Sequence, residues 1–151
     1  MRLVIQRVLS GSVTSEGVVT GAIGPGIMVL LGISRDDTEE ITRQMARKLL
    51  NIRIWADGDK AWTLNVMQKN YEVLVVSQFT LYAVMKGNRP DFHNAMANED
   101  ARNLYELFVQ ELRNVYGPEK IQTGAFGQYM NISLLNDGPV TINIESKSNS
   151  Q

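Results

Sequence analysis

The chain has 151 residues, 44% apolar and 21% charged, with 12 Gly, 4 Pro and no Cys, the arithmetic of one soluble domain large enough to build its own core. The missing cysteines exclude disulfide frameworks, thiolate zinc sites and a cysteine nucleophile. Fifteen Lys and Arg against sixteen Asp and Glu give a net charge of -1, which argues against coating long nucleic acid but leaves contact with a nucleic-acid end open.

The N-terminal run Leu3-Val4-Ile5 is broken by Gln6 and Arg7, too short and polar for a signal-peptide core. No stretch approaches the ~20 apolar residues of a membrane span, so a cytoplasmic protein is expected. Residues 2 to 9, Val13 to Ile23 around Ser15-Glu16-Gly17, and Ile27 to Ile33 read as strands, suggesting an antiparallel meander. The period then changes. Ile41, Met45, Leu49 and Ile52 lie at helical spacing behind Asp36-Asp37-Thr38-Glu39, a capping-box pattern with Asp as the cap, which predicts a helix over about 37 to 51.

After the polar loop Ala56 to Lys60, the segment Glu72 to Tyr82 is apolar until Ser77. It reads as a central strand buried on both faces whose polar end emerges at an edge. Gly, Asn and Pro in Lys86 to Asp91 each break regular structure, so a loop is expected there. A second helix starts near Asn98, puts Ala101, Leu104, Tyr105, Phe108, Leu112 and Val115 on one face, and ends at Gly117-Pro118. Ala125 to Leu135, a turn at Asn136-Asp137-Gly138-Pro139, and Val140 to Ile144 suggest a terminal hairpin. Residues 1–145 form a single domain in this reading, and 146–151, without an apolar residue, a frayed tail. The fold class is α+β, an antiparallel sheet or barrel-like core covered by two α-helices.

A single histidine, His93, excludes a His-His-carboxylate metal site within one chain, and no cofactor is expected. Fingerprints of serine hydrolases, P-loop nucleotides and dinucleotides are absent. A triad of Ser77 or Thr80 with His93 and Asp91 is arithmetically available, although a histidine in Phe92-His93-Asn94 is more commonly a loop or helix-start residue. Ser77-Gln78-Phe79-Thr80 can simply finish a strand. It can also floor a pocket, and there its backbone N–H groups are better candidates for holding an oxyanion than Thr80 is for direct attack, since a hydroxyl without a base is a poor nucleophile. Asn136 to Thr141 reads locally as a turn. Only about 5–6% of X–Pro bonds in folded proteins are cis, so the sequence alone favours trans at Gly138-Pro139. Arg43, Arg47 and Lys48 on the first helix, with Lys86 and Arg89 in the loop, are either a solvated face or a small phosphate-contacting surface suited to an RNA end.

Ser77-Gln78-Phe79-Thr80-Leu81 and Asn136-Asp137-Gly138-Pro139-Val140-Thr141 together resemble the two signature motifs of the D-aminoacyl-tRNA deacylase family. The resemblance extends to Val4-Ile5-Gln6-Arg7-Val8, Leu30-Leu31-Gly32-Ile33, Lys86-Gly87-Asn88-Arg89-Pro90-Asp91-Phe92-His93 and Gly124-Ala125-Phe126-Gly127-Gln128-Tyr129-Met130, and only the tail after about Glu145 lies outside it. It implies a homodimer that hydrolyses the ester of a D-amino acid, or glycine, on the 3′-terminal adenosine of tRNA, without metal. Ser77, Gln78, Phe79 and Thr80 would form the catalytic segment. The bond Gly138-Pro139 would be cis, against the base rate, and would enter the partner's pocket, its carbonyls filling the space an L side chain needs. Arg7 would brace that loop, and Phe126 and Met130 would line the pocket. The competing readings are a non-catalytic nucleic-acid-associated module and a related deacylase for mischarged L-aminoacyl-tRNA.

Overall fold

Strand β1 (Arg2–Ser15) organises the computed structural model, which describes residues 1–147. Leu3 and Ile5 point into one core cluster and Val8 and Val13 into another. Val8 faces the second cluster by plain alternation, and Val13 joins it across a pairing irregularity between Val8 and Ser10, where one extra residue in a period-two strand exchanges its faces. Glu16 and Gly17, both at positive φ, turn the chain into β2 (Val18–Ile23), which pairs with the far half of β1. Strand β3 (Gly26–Gly32) pairs antiparallel with the near half, from Arg2↔Gly32 to Val8↔Gly26.

Helix α1 (Glu39–Asn51) follows and buries Met45, Ala46, Leu49 and Leu50. Its cap is Thr38, whose Oγ1 accepts the Ile41 N–H at 3.2 Å, and not an aspartate as expected. Asp37 is otherwise engaged, accepting from the Ser34 N–H at 2.7 Å and the Met1 ammonium at 2.6 Å. The expected loop around Ala56 is the tip of a hairpin, β4 (Trp55–Asp57) and β5 (Lys60–Leu64). Strand β6 (Glu72–Ser77) is buried on both faces as expected, Val73 and Val75 in one cluster and Leu74 and Val76 in the other. It stops at Ser77, earlier than predicted, and Phe79–Tyr82 coil into a 3-10 turn. That turn presses on Gly32, where a Cβ would sit 2.8 Å from the Leu81 Cβ.

The segment predicted as an irregular loop is a second hairpin, β7 (Val84–Lys86) and β8 (Arg89–Asp91). Gly87, at φ 61, makes the two-residue turn possible, so its breakers punctuate the hairpin instead of abolishing it. Helix α2 (Asn98–Tyr116) buries Ala101, Leu104, Tyr105, Phe108 and Leu112 and ends at Gly117, φ 121. Arg47 of α1 reaches Glu111 of α2 at 2.7 Å. Strand β9 (Ile121–Thr123) and the 15-residue β10 (Asn131–Glu145) complete the chain.

The main sheet runs β10-β1-β3-β6-β9, with β2 beside β1. The α+β class with two covering helices holds, but the sheet is mixed: β6 is parallel to β3 and β9 parallel to β6. Helix α1 lies between β3 and β6 in the chain and α2 between β6 and β9, and a helical crossover returns the chain in the same direction. Strand β2 curls towards β9, where a Cβ on Gly21 would lie 2.4 Å from the Thr123 carbonyl oxygen, giving the barrel-like closure. The terminal hairpin does not form. β10 pairs with β1 on both sides of the expected turn, Thr141 opposite Gln6 and Asn136 opposite Val8, so 137–140 bulge out of a continuous strand.

The Ser146 N–H donates to the Met1 carbonyl at 2.9 Å, and residues 148–151 of the expected tail lie outside the described residues. Among the described residues no helix is long and apolar enough to cross a membrane.

Candidate active site

Strand β6 delivers Ser77 opposite Leu31 of β3, and the Gln78 N–H donates to the Leu31 carbonyl at 2.8 Å. The first bond of the 3-10 turn runs from the Leu81 N–H to the Gln78 carbonyl at 3.3 Å. The N–H groups of Phe79 and Thr80 precede it and are the donors that such a turn leaves without an internal partner. The Gln78 side-chain amide donates to the Thr80 hydroxyl. Phe79 is 58% exposed and stands edge-on to Phe92, ring centroids 5.0 Å apart.

The facing wall comes from residues 126–130, on which the Ser15 hydroxyl bonds both the Gln128 side chain and the Tyr129 carbonyl at 3.0 Å. Phe126 leans on Tyr105 with centroids 5.1 Å apart, and the Arg102 guanidinium lies 4.9 Å from its ring. The Tyr105 hydroxyl donates to the Val75 carbonyl at 3.1 Å, and burial pushes its pKa up to about 12.

Between these walls lies a cleft of about 600 Å³. Of the residues singled out from the sequence, Ser77, Gln78, Phe79, Thr80, Phe126 and Met130 line it; Arg7, Gly138 and Pro139 do not. Sequence reasoning missed Met96, Asn98, Ala101, Gln128 and Tyr129, which also line it. The sequence predicts a strand over Ala125 to Leu135, but β10 begins only at Asn131, and the turn before it brings Gln128 and Tyr129 to the cleft. Among the described residues no Asp, Glu, His, Lys or Arg lines it. His93 bonds Asp91, and neither lines the cleft, so the triad does not assemble there. The His93 ring and backbone N–H, helped by Lys86, hold the Asp91 carboxyl well below the usual range. Among the described residues no group of three or more His, Cys, Asp or Glu is placed to hold a metal ion.

The Gly138-Pro139 bond is cis, as the resemblance implied and the base rate did not, and both residues are exposed. Arg7 grips the base of this bulge. Its Nε donates to the Asp137 carbonyl at 3.3 Å and lies 3.2 Å from the Asp137 carboxylate, while Nη1 donates to the Ile54 carbonyl at 2.5 Å. Beside the bulge, β10 has one edge without a strand among the described residues and exposes Ile132 and Leu135.

Comparison with known proteins gives consistent results. The family model described as D-Tyr-tRNA(Tyr) deacylase matches residues 4–145. A Leishmania major protein named D-aminoacyl-tRNA deacylase 1 is 56% identical over 152 aligned positions, covering 99% of this chain and 100% of its own. A Homo sapiens protein of the same name is 52% identical, over 97% of this chain and 70% of the relative. A solved structure named c-Myc DNA Unwinding Element Binding Protein superposes with a TM-score of 0.94 at 52% identity, covering 98% of this chain and 100% of that one. Another, described as a "probable eukaryotic D-amino acid tRNA deacylase", superposes at 0.82 with 19% identity over 95% of this chain and 98% of its own, which shows a shared fold.

Proposed function

The chain belongs to the D-Tyr-tRNA(Tyr) deacylase family, and from that membership we propose that it hydrolyses the ester joining a D-amino acid to the 3′-terminal adenosine of tRNA, releasing the free amino acid and the tRNA. The enzyme is a hydrolase, and the observation that carries its mechanism is the pair of turn-opening N–H groups on Phe79 and Thr80 at a cleft lined by no carboxylate, imidazole or cationic side chain. Ester hydrolysis builds negative charge on the carbonyl oxygen. Preorganised amide donors stabilise that charge without a titrating side chain. Water activation then falls to the substrate, whose ribose 2′-hydroxyl adjoins the ester. Thr80 as a nucleophile ranks second, because no base lies within the cleft and its hydroxyl already accepts a bond from Gln78. Phe126 and Met130 serve as walls for the amino-acid side, and no metal or other cofactor enters the reaction.

Chirality is sensed, in this reading, by a second copy of the chain. The Gly138-Pro139 bulge is exposed, braced by Arg7 and not part of the lining of its own cleft, which supports its donation to a partner's cleft across the open edge of β10. A two-fold homodimer then completes both sites alike. Main-chain carbonyl oxygens standing where an L side chain would lie exclude it, while D side chains of many kinds, and glycine, pass. Residues 1–145 act as the deacylase unit, at work in the cytoplasm.

The test is deacylation of D-Tyr-tRNA and L-Tyr-tRNA by the pure protein without added metal. Rapid loss of the D ester with the L ester retained is expected; equal rates, or none on the D ester, would remove the reading. The name of one similar solved structure motivates a second, non-catalytic reading, DNA binding. A steep loss of duplex affinity with salt would favour it, and weak, salt-insensitive binding would dispose of it.

A further inference from the structure

The five basic residues singled out in the sequence separate into two sets. On α1, Arg43 pairs with Glu39 at 3.4 Å and Arg47 with Glu111 at 2.7 Å, so both charges are answered within the fold. Lys48 occupies the last turn of the helix, where a cation suits the dipole. The β7–β8 hairpin differs. Lys86 lies 3.1 Å from Asp91, which is also bonded to the His93 ring, whereas Arg89 makes no ion pair among the described residues. Lys86, Arg89, Pro90, Asp91 and Phe92 line a concavity of about 370 Å³. Phe92 is the ring edge-on to Phe79, and Phe79 lines the main cleft, so one aromatic pair has a ring in each hollow.

We propose that this concavity binds the internucleotide phosphate at the single-stranded 3′ end of the tRNA, with Arg89 as its principal ligand and Lys86, oriented by Asp91, as a second. The proposal rests on the deacylase reading and extends it to how the RNA is held. In this proposal the terminal adenosine carries its ester into the main cleft and the preceding phosphate leaves past Phe79 and Phe92, which touch each other and line the two hollows. A chain of net charge -1 needs a local cation to meet it. The guanidinium fork of an unpaired arginine matches phosphate geometry better than an ammonium does. Pro90 and Phe92 offer the apolar wall on which an unstacked base rests, the usual way single-stranded RNA is held. The hollow is too small for a duplex groove.

The test compares wild type with Arg89→Gln, alone and combined with Lys86→Gln, on two substrates, D-Tyr-tRNA and D-Tyr-adenosine; the second has no internucleotide phosphate. For the double variant on tRNA, KM should rise about tenfold with kcat within about twofold, and the slope of log kcat/KM against log salt should become shallower by about 0.7 for each phosphate that is no longer neutralised. D-Tyr-adenosine should show no matching rise in KM, and Arg89→Lys, which keeps the charge, should recover most of the salt slope. An equal KM rise on both substrates, or an unshifted KM and slope on tRNA, would overturn the proposal while leaving the deacylase reading intact. A wild-type protein inactive on both substrates would remove that reading and the proposal with it.

Discussion

Arg7 of β1 holds Asp137 of β10 by both its main chain and its side chain, 3.3 Å from the carbonyl oxygen and 3.2 Å from the carboxylate. The arginine stands where pairing between the two strands is irregular, so one side chain substitutes for the ladder bonds the bulge lacks. Arg7→Ala should therefore free the Gly138-Pro139 bulge and leave the Ile54 carbonyl without its donor. The expected loss is about 1–3 kcal/mol, a fall in Tm of several degrees, for removal of hydrogen bonds to a half-buried charged group. Under the proposed function the preference for D over L esters should fall as well. An unchanged Tm together with an unchanged D-to-L ratio would show that Arg7 braces nothing.

Thr80→Ala removes a hydroxyl that accepts from Gln78 and leaves the Thr80 N–H in place. If amide donors carry the chemistry, kcat on D-Tyr-tRNA should drop by no more than about tenfold, within the range of one missing side-chain hydrogen bond. A fall of several orders of magnitude with the fold intact by circular dichroism would make Thr80 the nucleophile.

Gly138 has φ 122, and a Cβ there would lie 3.0 Å from the Val140 nitrogen and 3.4 Å from the Arg7 guanidinium. An L side chain in that backbone conformation costs on the order of 1–3 kcal/mol. Gly138→Ala should lower Tm and, in the proposed dimer, weaken discrimination between D and L esters. A variant with wild-type Tm and selectivity would mean that the bulge tolerates the side chain and does not shape the site.

Tyr105 contributes, with Tyr82 and Tyr116, whose ionisation burial also raises, to an alkaline limit on stability. In the folded chain burial raises its pKa to about 12, whereas in the unfolded chain it ionises near 10. Folding stability from this group is complete below about pH 10 and is lost as pH rises towards 12, by roughly 2–3 kcal/mol in all. Melting followed from pH 8 to 12 should fall over that window. Tyr105→Phe should be less stable at pH 8, having lost the bond to Val75, and should show a flatter alkaline decline; an identical decline would assign it to other groups.

Much of the fold was legible in local pattern. The alternation around the β1–β2 turn, the 3.6-residue period of α1 and α2, and the apolar runs of β3 and β6 each report the burial of their own side chains, which sequence records directly. Strand direction is different: periodicity is the same for parallel and antiparallel neighbours, so the parallel placement of β6 and β9 followed only from the helical crossovers. Breaker residues misled in both directions. Gly87 made a hairpin where a loop was expected, and Asp137-Gly138-Pro139 made a bulge where a hairpin was expected, because β1 is long enough to pair with the chain on both sides of it.

The residues alone established that this chain builds an α+β core with two amphipathic helices, that it carries one histidine and no cysteine, and that Ser77 to Thr80 end a buried strand with polar and aromatic groups. Long-range packing established the rest. It put Met96, Asn98 and Tyr129 in one cleft with Phe79, kept Gly138 out of that lining, and, among the described residues, left Arg89 without a carboxylate while pairing Arg47. The reason is that hydrophobic pattern describes each element's own face, whereas a cleft is made where faces of distant elements meet, and no short-range signal carries that distance.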